Sequence, residues 1–150
     1  MGLVNVIVIY ESLTGNTRKV AGFIADELRA SGAHVMAVSP TTAIDYAALS
    51  ASELVIIGSW TDGLFIVGQR PGGSGRLRQL PFLTSKKAAV YCTYALDAGK
   101  VLEKLTAIVA DRGATVVGGM TIRRSDLEGG ASEFVERLVG AIPGLASAGK

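Results

Sequence analysis

From Leu3 to Tyr10 the chain reads LVNVIVIY, an almost unbroken run of apolar, mostly β-branched residues. A run without polar alternation predicts a strand covered on both faces, as in the middle of a parallel sheet. From Thr17 to Ala30 the period changes. Val20, Ala21, Ile24, Ala25 and Leu28 recur three and four apart, which predicts an amphipathic helix ended by Ser31-Gly32. The unit then repeats, with a short strand at Val35 to Val38, a short helix at Tyr46 to Leu49 and an apolar strand at Leu54 to Ser59.

Trp60 to Gly75 interrupts the rhythm with five glycines and a proline, too many breakers for a regular element, and predicts a long surface loop before a helix around Leu77 to Leu80. A fourth strand follows at Ala88 to Thr93, then a helix at Ala98 to Asp111, a fifth strand at Ala114 to Thr121 and a last helix at Ser132 to Val139. Five strands alternating with helices imply right-handed crossovers and an α/β, doubly wound parallel sheet of order 2-1-3-4-5. Ligands bind such sheets beyond the carboxyl ends of the strands. Pro143 to Lys150, rich in Gly, Ala and Ser, is expected to be a frayed tail.

Composition agrees with one globular domain over 1–150, since 49% of the 150 residues are hydrophobic and 19% charged. No apolar run reaches the roughly 18 residues that span a bilayer, so no membrane partner is expected. Met1 to Tyr10 lacks the basic start and cleavage site of a signal peptide, and the expected location is the cytoplasm. A lone cysteine, Cys92, suits a reducing compartment, and with a single His it leaves too few ligands for a zinc site; no metal is expected. Without a cationic neighbour or a resolving cysteine, Cys92 is read as a buried structural thiol. The net charge of +2 comes from scattered Lys and Arg with no dense basic run, so no nucleic-acid partner is indicated.

The chemistry concentrates between the first strand and the first helix. Ser12, Thr14, Asn16 and Thr17 set four small hydrogen-bonding side chains around Gly15. Free backbone N–H groups at a helix start, the helix dipole and nearby hydroxyls together suit a phosphate monoester. The same residues also suit a simple turn and helix cap. Neither a P-loop nor the three-glycine dinucleotide fingerprint is present, which disfavours a nucleoside triphosphate.

Placed directly after a hydrophobic strand, Ser12-Leu13-Thr14-Gly15-Asn16-Thr17 resembles the FMN phosphate loop of flavodoxins, and the likeness extends along nearly the whole chain in length and element order. The resemblance implies a short-chain, flavodoxin-like three-layer sandwich that binds one FMN noncovalently. It further implies two loops that sandwich the flavin ring: Ser59-Trp60-Thr61-Asp62-Gly63 after the third strand and Thr93-Tyr94 through Asp97 after the fourth. Trp60 and Tyr94 are the expected stacking residues, with Phe65 a competing ring partner. The Asp62-Gly63 turn is the expected source of a carbonyl that accepts from flavin N5 when it is protonated, and Thr93 of contacts to the pyrimidine edge. Asp97 stands before Ala98 to Asp111, where a helix-capping role outweighs one of placing charge near the ring. No catalytic acid or base is named, since the cofactor carries the chemistry. Arg18 is as suited to the surface as to the cofactor.

One departure concerns charge. Flavodoxins that shuttle electrons are commonly acidic, whereas this chain carries Arg70, Arg76 and Arg78 after its third strand and Arg123 and Arg124 after its fifth. A positive mouth is therefore expected, facing a redox partner protein with an acidic docking face. The alternative is an NAD(P)H-dependent FMN oxidoreductase whose arginines seat a small anionic or quinone substrate. A receiver domain shares the strand order, but it needs paired acids after the first strand, and here Glu11 stands alone.

Overall fold

The structure, a computed structural model, describes residues 4–62 and 69–146. Its sheet is built from β1 (Asn5–Tyr10), β2 (His34–Pro40), β3 (Leu54–Asp62), β4 (Arg70–Pro71), β5 (Lys87–Tyr94) and β6 (Thr115–Arg123). The main path runs β2-β1-β3-β5-β6, with every neighbour parallel. With the two-residue β4 set aside, this is the expected 2-1-3-4-5 order.

Alternation inside the apolar runs sorts the side chains into two cores. Val6, Val8, Leu54, Ile56 and Tyr91 face α1 (Asn16–Ala30) and α5 (Leu127–Ala141). Ile7, Ile9, Val55, Ile57, Val90 and Cys92 face the opposite layer, where α2 (Tyr46–Ala51), α3 (Ser74–Leu77) and α4 (Val101–Asp111) supply Leu49, Leu77 and Leu105. A strand buried on both faces has no polar side to show, which is why β1, β3 and β5 read as nearly continuous apolar sequence.

The stretch from Trp60 is more regular than expected. Strand β3 continues to Asp62, and the chain returns antiparallel, pairing Thr61 with Pro71 and Asp62 with Arg70. Pro71 is tolerated because this short strand lies off the main path of the sheet. Helix α3 then starts at Ser74, three residues before the expected Leu77, and ends there.

The last helix was expected at Ser132 but starts at Leu127, where Asp126 Oδ1 accepts from the Gly129 N–H at 3.1 Å and caps it. Gly130 is a contact rather than a breaker: a Cβ there would stand 2.5 Å from Ile122 Cγ2. The expected tail is tied down as far as Leu145, which is fully buried, while the Val4 N–H donates to the Gly144 carbonyl at 3.3 Å.

Two glycines should respond oppositely to alanine. A Cβ on Gly58 would fall 2.0 Å from the Tyr91 ring, whereas one on Gly22, inside α1, meets nothing within 4 Å. Gly58→Ala is expected to destabilise by roughly 1–3 kcal/mol through overpacking. Gly22→Ala should stabilise by about 0.5–1 kcal/mol through the lower helix cost of alanine. Urea unfolding midpoints of the two variants check both signs.

Candidate functional site

Beyond the carboxyl ends of β1, β3 and β5 lies an open concavity. Its lining joins Ser12, Leu13, Thr14, Asn16 and Thr17 from the loop after β1 to Trp60 and Thr61 of β3, then Thr93, Tyr94 and Ala95, and finally Arg124. Nine of the residues expected at the site therefore meet on one surface. Ala95 comes from the loop expected to hold the ring, though no contact was assigned to it, and Arg124, expected at the mouth, enters the lining because β6 ends beside β5.

The loop after β1 is closed by its own serine. Ser12 Oγ accepts from the Gly15 N–H at 3.0 Å and the Arg18 N–H at 3.4 Å, so its own proton is left to donate outward. Gly15 adopts φ 99°, a left-handed conformation that costs glycine little, and turns the chain into α1. The Lys19 N–H is the first to find a helical carbonyl, that of Gly15. The Asn16 and Thr17 N–H groups have no partner among the described residues, and they sit where the helix dipole favours an anion. Thr17 itself is buried, its hydroxyl 3.2 Å from that of Thr93, which ties the loop to β5. The Arg18 side chain is exposed on the helix surface.

The wall on the β3 side is held from behind. A Cβ on Gly72 would lie 2.0 Å from the Trp60 indole, so glycine lets backbone pack directly on the ring. The Gly72 N–H donates to the Trp60 carbonyl and Ser59 Oγ donates to the Gly72 carbonyl, both at 2.6 Å. Ser59 thus fastens the backing segment and does not line the concavity. Asp62 does not line it either, being paired with Arg70 at 3.0 Å.

Asp97 corrects a further expectation. Helix α4 begins at Val101 rather than Ala98, and Asp97 Oδ1 accepts from the Gly99 N–H at 3.1 Å in a turn instead of capping the helix. Gly63 and Phe65 lie outside the described residues, as does the peptide after Asp62 proposed to respond at flavin N5.

The expected positive mouth is smaller than five arginines. Arg70 is engaged by Asp62 and Arg76 by Glu11, while Arg78 lines a separate depression with Lys104, Asp111 and Arg112. What remains at the concavity is Arg124 in its lining and Arg123, whose guanidinium sits 5.4 Å above the Tyr94 ring centre.

Cys92 is fully buried on the α4 side of β5, and burial pushes its thiol up to about 12, against a smaller opposing effect of the Thr61 hydroxyl. Apart from that sulfur, the buried Thr61 Oγ1 has no hydrogen-bond partner among the described residues. The described residues hold no cluster of metal-binding side chains and no helix long and apolar enough to cross a membrane.

A sequence profile of the Flavodoxin domain family matches residues 7–124. No curated protein matches the chain by sequence. Among solved structures, oxidised flavodoxin 1 from Bacillus cereus is 21% identical, with a TM-score of 0.65 over 92% of this chain and 99% of that one. A flavodoxin from Streptococcus pneumoniae TIGR4 is likewise 21% identical, with a TM-score of 0.66 over 92% and 99%. The fold also matches 37% of the rubredoxin oxygen:oxidoreductase of Desulfovibrio gigas, at 17% identity and a TM-score of 0.66, with 93% of this chain covered.

The Cys92 thiol, ordinarily near 9.0, is held near 12 by the fold, so its contribution to stability is complete below pH 9 and is lost as pH rises towards 12. Over that window the unfolded chain ionises first, and the loss is about 1.4 kcal/mol per pH unit. Urea unfolding free energies of wild type and Cys92→Ala, compared at pH 8 and pH 10.5, should show the wild type's advantage shrinking at the higher pH. A constant difference would contradict the assignment.

Proposed function

The chain belongs to the flavodoxin family, whose cofactor is FMN and whose work is electron transfer, and on that premise we propose that it is a carrier shuttling electrons between redox partner proteins. The observation that carries this reading is the union, on one concave surface, of a helix start with free amides and two aromatic side chains, Trp60 and Tyr94.

Those residues fit FMN. The Asn16 and Thr17 amides, the Ser12 proton and the Thr14 hydroxyl would hold the phosphate, Gly15 allowing the loop's close turn. Trp60 and Tyr94 would flank the ring and keep water from its faces, beside Thr61 and Thr93. Bound there, FMN supplies one-electron and hydride chemistry, and the protein's part is to bind, orient and tune it. The described lining holds no His, Asp, Glu or Lys side chain; its ionisable groups are Tyr94 and Arg124.

The partner is read from what surrounds the opening. Leu13 and Leu96 are 71% and 87% exposed, and Arg123 and Arg124 bring positive charge. Apolar tips with flanking arginines suit a partner whose docking face is acidic around an apolar centre.

Arg124 also sustains the second reading, in which it seats the anionic group of NAD(P)H or of a small substrate and the protein is an oxidoreductase. Adding stoichiometric NADPH to the FMN-loaded protein without a separate reductase separates the two. The visible flavin absorbance should persist; rapid bleaching would favour the enzyme.

The phosphate assignment has its own test. Thr14 is exposed and its hydroxyl has no partner among the described residues, so Thr14→Val should leave the fold intact. Loss of one hydrogen bond to a charged phosphate, roughly 1.5–3 kcal/mol, should weaken FMN about ten- to a hundredfold and riboflavin scarcely at all. Titration of the apoprotein with both flavins gives the answer, and equal losses would refute the assignment.

A further inference from the structure

Glu11 is the only buried charged residue among the described residues, 4% exposed, and it stands between the last residue of β1 and Ser12. Its carboxylate is fully used. Arg76 donates through Nε to Oε2 at 2.6 Å and through Nη2 to Oε1 at 2.8 Å, and the Thr41 hydroxyl donates to Oε2 as well. Hydrogen bonding to Glu11, with its charge, holds the Arg76 guanidinium even more firmly protonated than usual. An ion pair in such a place is weak evidence for stability, because taking the carboxylate out of water offsets much of what the pairing gains; a role in fixing one arrangement is the better account.

What the pair fixes is visible at two consecutive glycines. Gly72 packs its backbone on the Trp60 indole, and Gly73, at φ 68°, packs on Glu11, where a Cβ would stand 2.2 Å from Oε1. The segment from Arg70 to Leu77 is thus wedged between the carboxylate and the indole, and Arg76 pins its far end. Glu11 also donates its N–H to the Gly58 carbonyl at 2.9 Å, two residues before Trp60.

We propose that Glu11 is a positioning residue for the flavin site: through Arg76 and Gly73 it clamps the Arg70–Leu77 segment onto Trp60, setting the ring wall relative to the phosphate loop. The proposal rests on the flavin reading above for its purpose but not for its geometry. The Glu11 side chain does not line the concavity, although its backbone runs on into Ser12, and its carboxylate acts through the segment it holds.

Trp60 is the only tryptophan of the 150 residues and reports on the clamp directly. The apoproteins of wild type, Glu11→Gln, Arg76→Lys and the double variant are compared by acrylamide quenching of Trp60, titration with FMN and riboflavin, and urea unfolding. Arg76→Lys keeps the charge but loses the two-pronged grip, and its parent side chain is 58% exposed. It therefore decides the matter if Glu11→Gln fails to fold.

The single variants are expected to make Trp60 more quenchable and to weaken both flavins alike, by about tenfold, as a displaced ring wall requires. The double variant should be no worse than the poorer single one. A lowered urea midpoint with unchanged quenching and unchanged flavin affinities would overturn the proposal, and so would a loss confined to FMN. A wild-type protein that binds no flavin would overturn the functional reading instead, while the quenching measurement, which needs no flavin, would still decide the clamp.

Discussion

A tyrosine hydroxyl taken wholly out of water must be given a partner, and in this fold the partner of Tyr91 is the Thr17 carbonyl in the first turn of α1, at 2.9 Å. The ring reaches it by lying over Gly58 of β3, tilted at 59° against Phe134 of α5 with ring centres 5.9 Å apart. One side chain of β5 thereby sets the height of the α1 start above the ends of two strands and holds the helix layer to the sheet. Burial raises the Tyr91 hydroxyl well above its ordinary value, so it stays a donor wherever the protein is folded. The neighbouring contact between the Thr17 and Thr93 hydroxyls repeats the link one residue pair nearer the surface. The start of α1 and the end of β5 are consequently joined in one floor.

Much of this was legible because the deciding signals are local. An unalternating apolar run, a small polar loop around Gly15 and a period of 3.6 all lie within residues 3–30, and together they predict a strand, an anion-binding turn and a helix. Element ends were less legible where a side chain answers to something distant. Asp97 has the right type and place for a helix cap, but its carboxylate closes a turn on Gly99 and its carbonyl accepts from the Gln69 side chain. Glycines misled most. In a sequence they mark loops, whereas Gly58, Gly72, Gly73 and Gly130 are glycine because Tyr91, Trp60, Glu11 and Ile122 occupy the space of a Cβ. Nothing along the chain announces a contact between positions 65 apart, such as Glu11 with Arg76.

The arginines teach the same lesson about charge. Five of them after two strands suggested a field of positive charge at the site. A guanidinium, however, contributes to a field only in so far as no carboxylate answers it, and Asp62 and Glu11 answer two. Arg78 lines a separate depression beside α4, together with Asp111. The remaining pair, Arg123 and Arg124, is enough to tint the opening but not to make a basic groove.

The division of labour at the site follows from that. Arg124 is the only charged side chain in the described lining, so on the proposed reading recognition of a phosphate would fall chiefly to main-chain N–H groups and small hydroxyls arranged by α1. Main-chain recognition depends on the shape of the turn, which Ser12 and Gly15 maintain, and is indifferent to most changes of side chain around it. The rim is the opposite case. Leu13, Leu96, Arg123 and Arg124 are exposed side chains, and exposed positions tolerate change more readily than the buried floor beneath them. A fold built in this way can keep its cofactor site while the side chains around the opening change, which accommodates Arg123 and Arg124 on a flavodoxin frame.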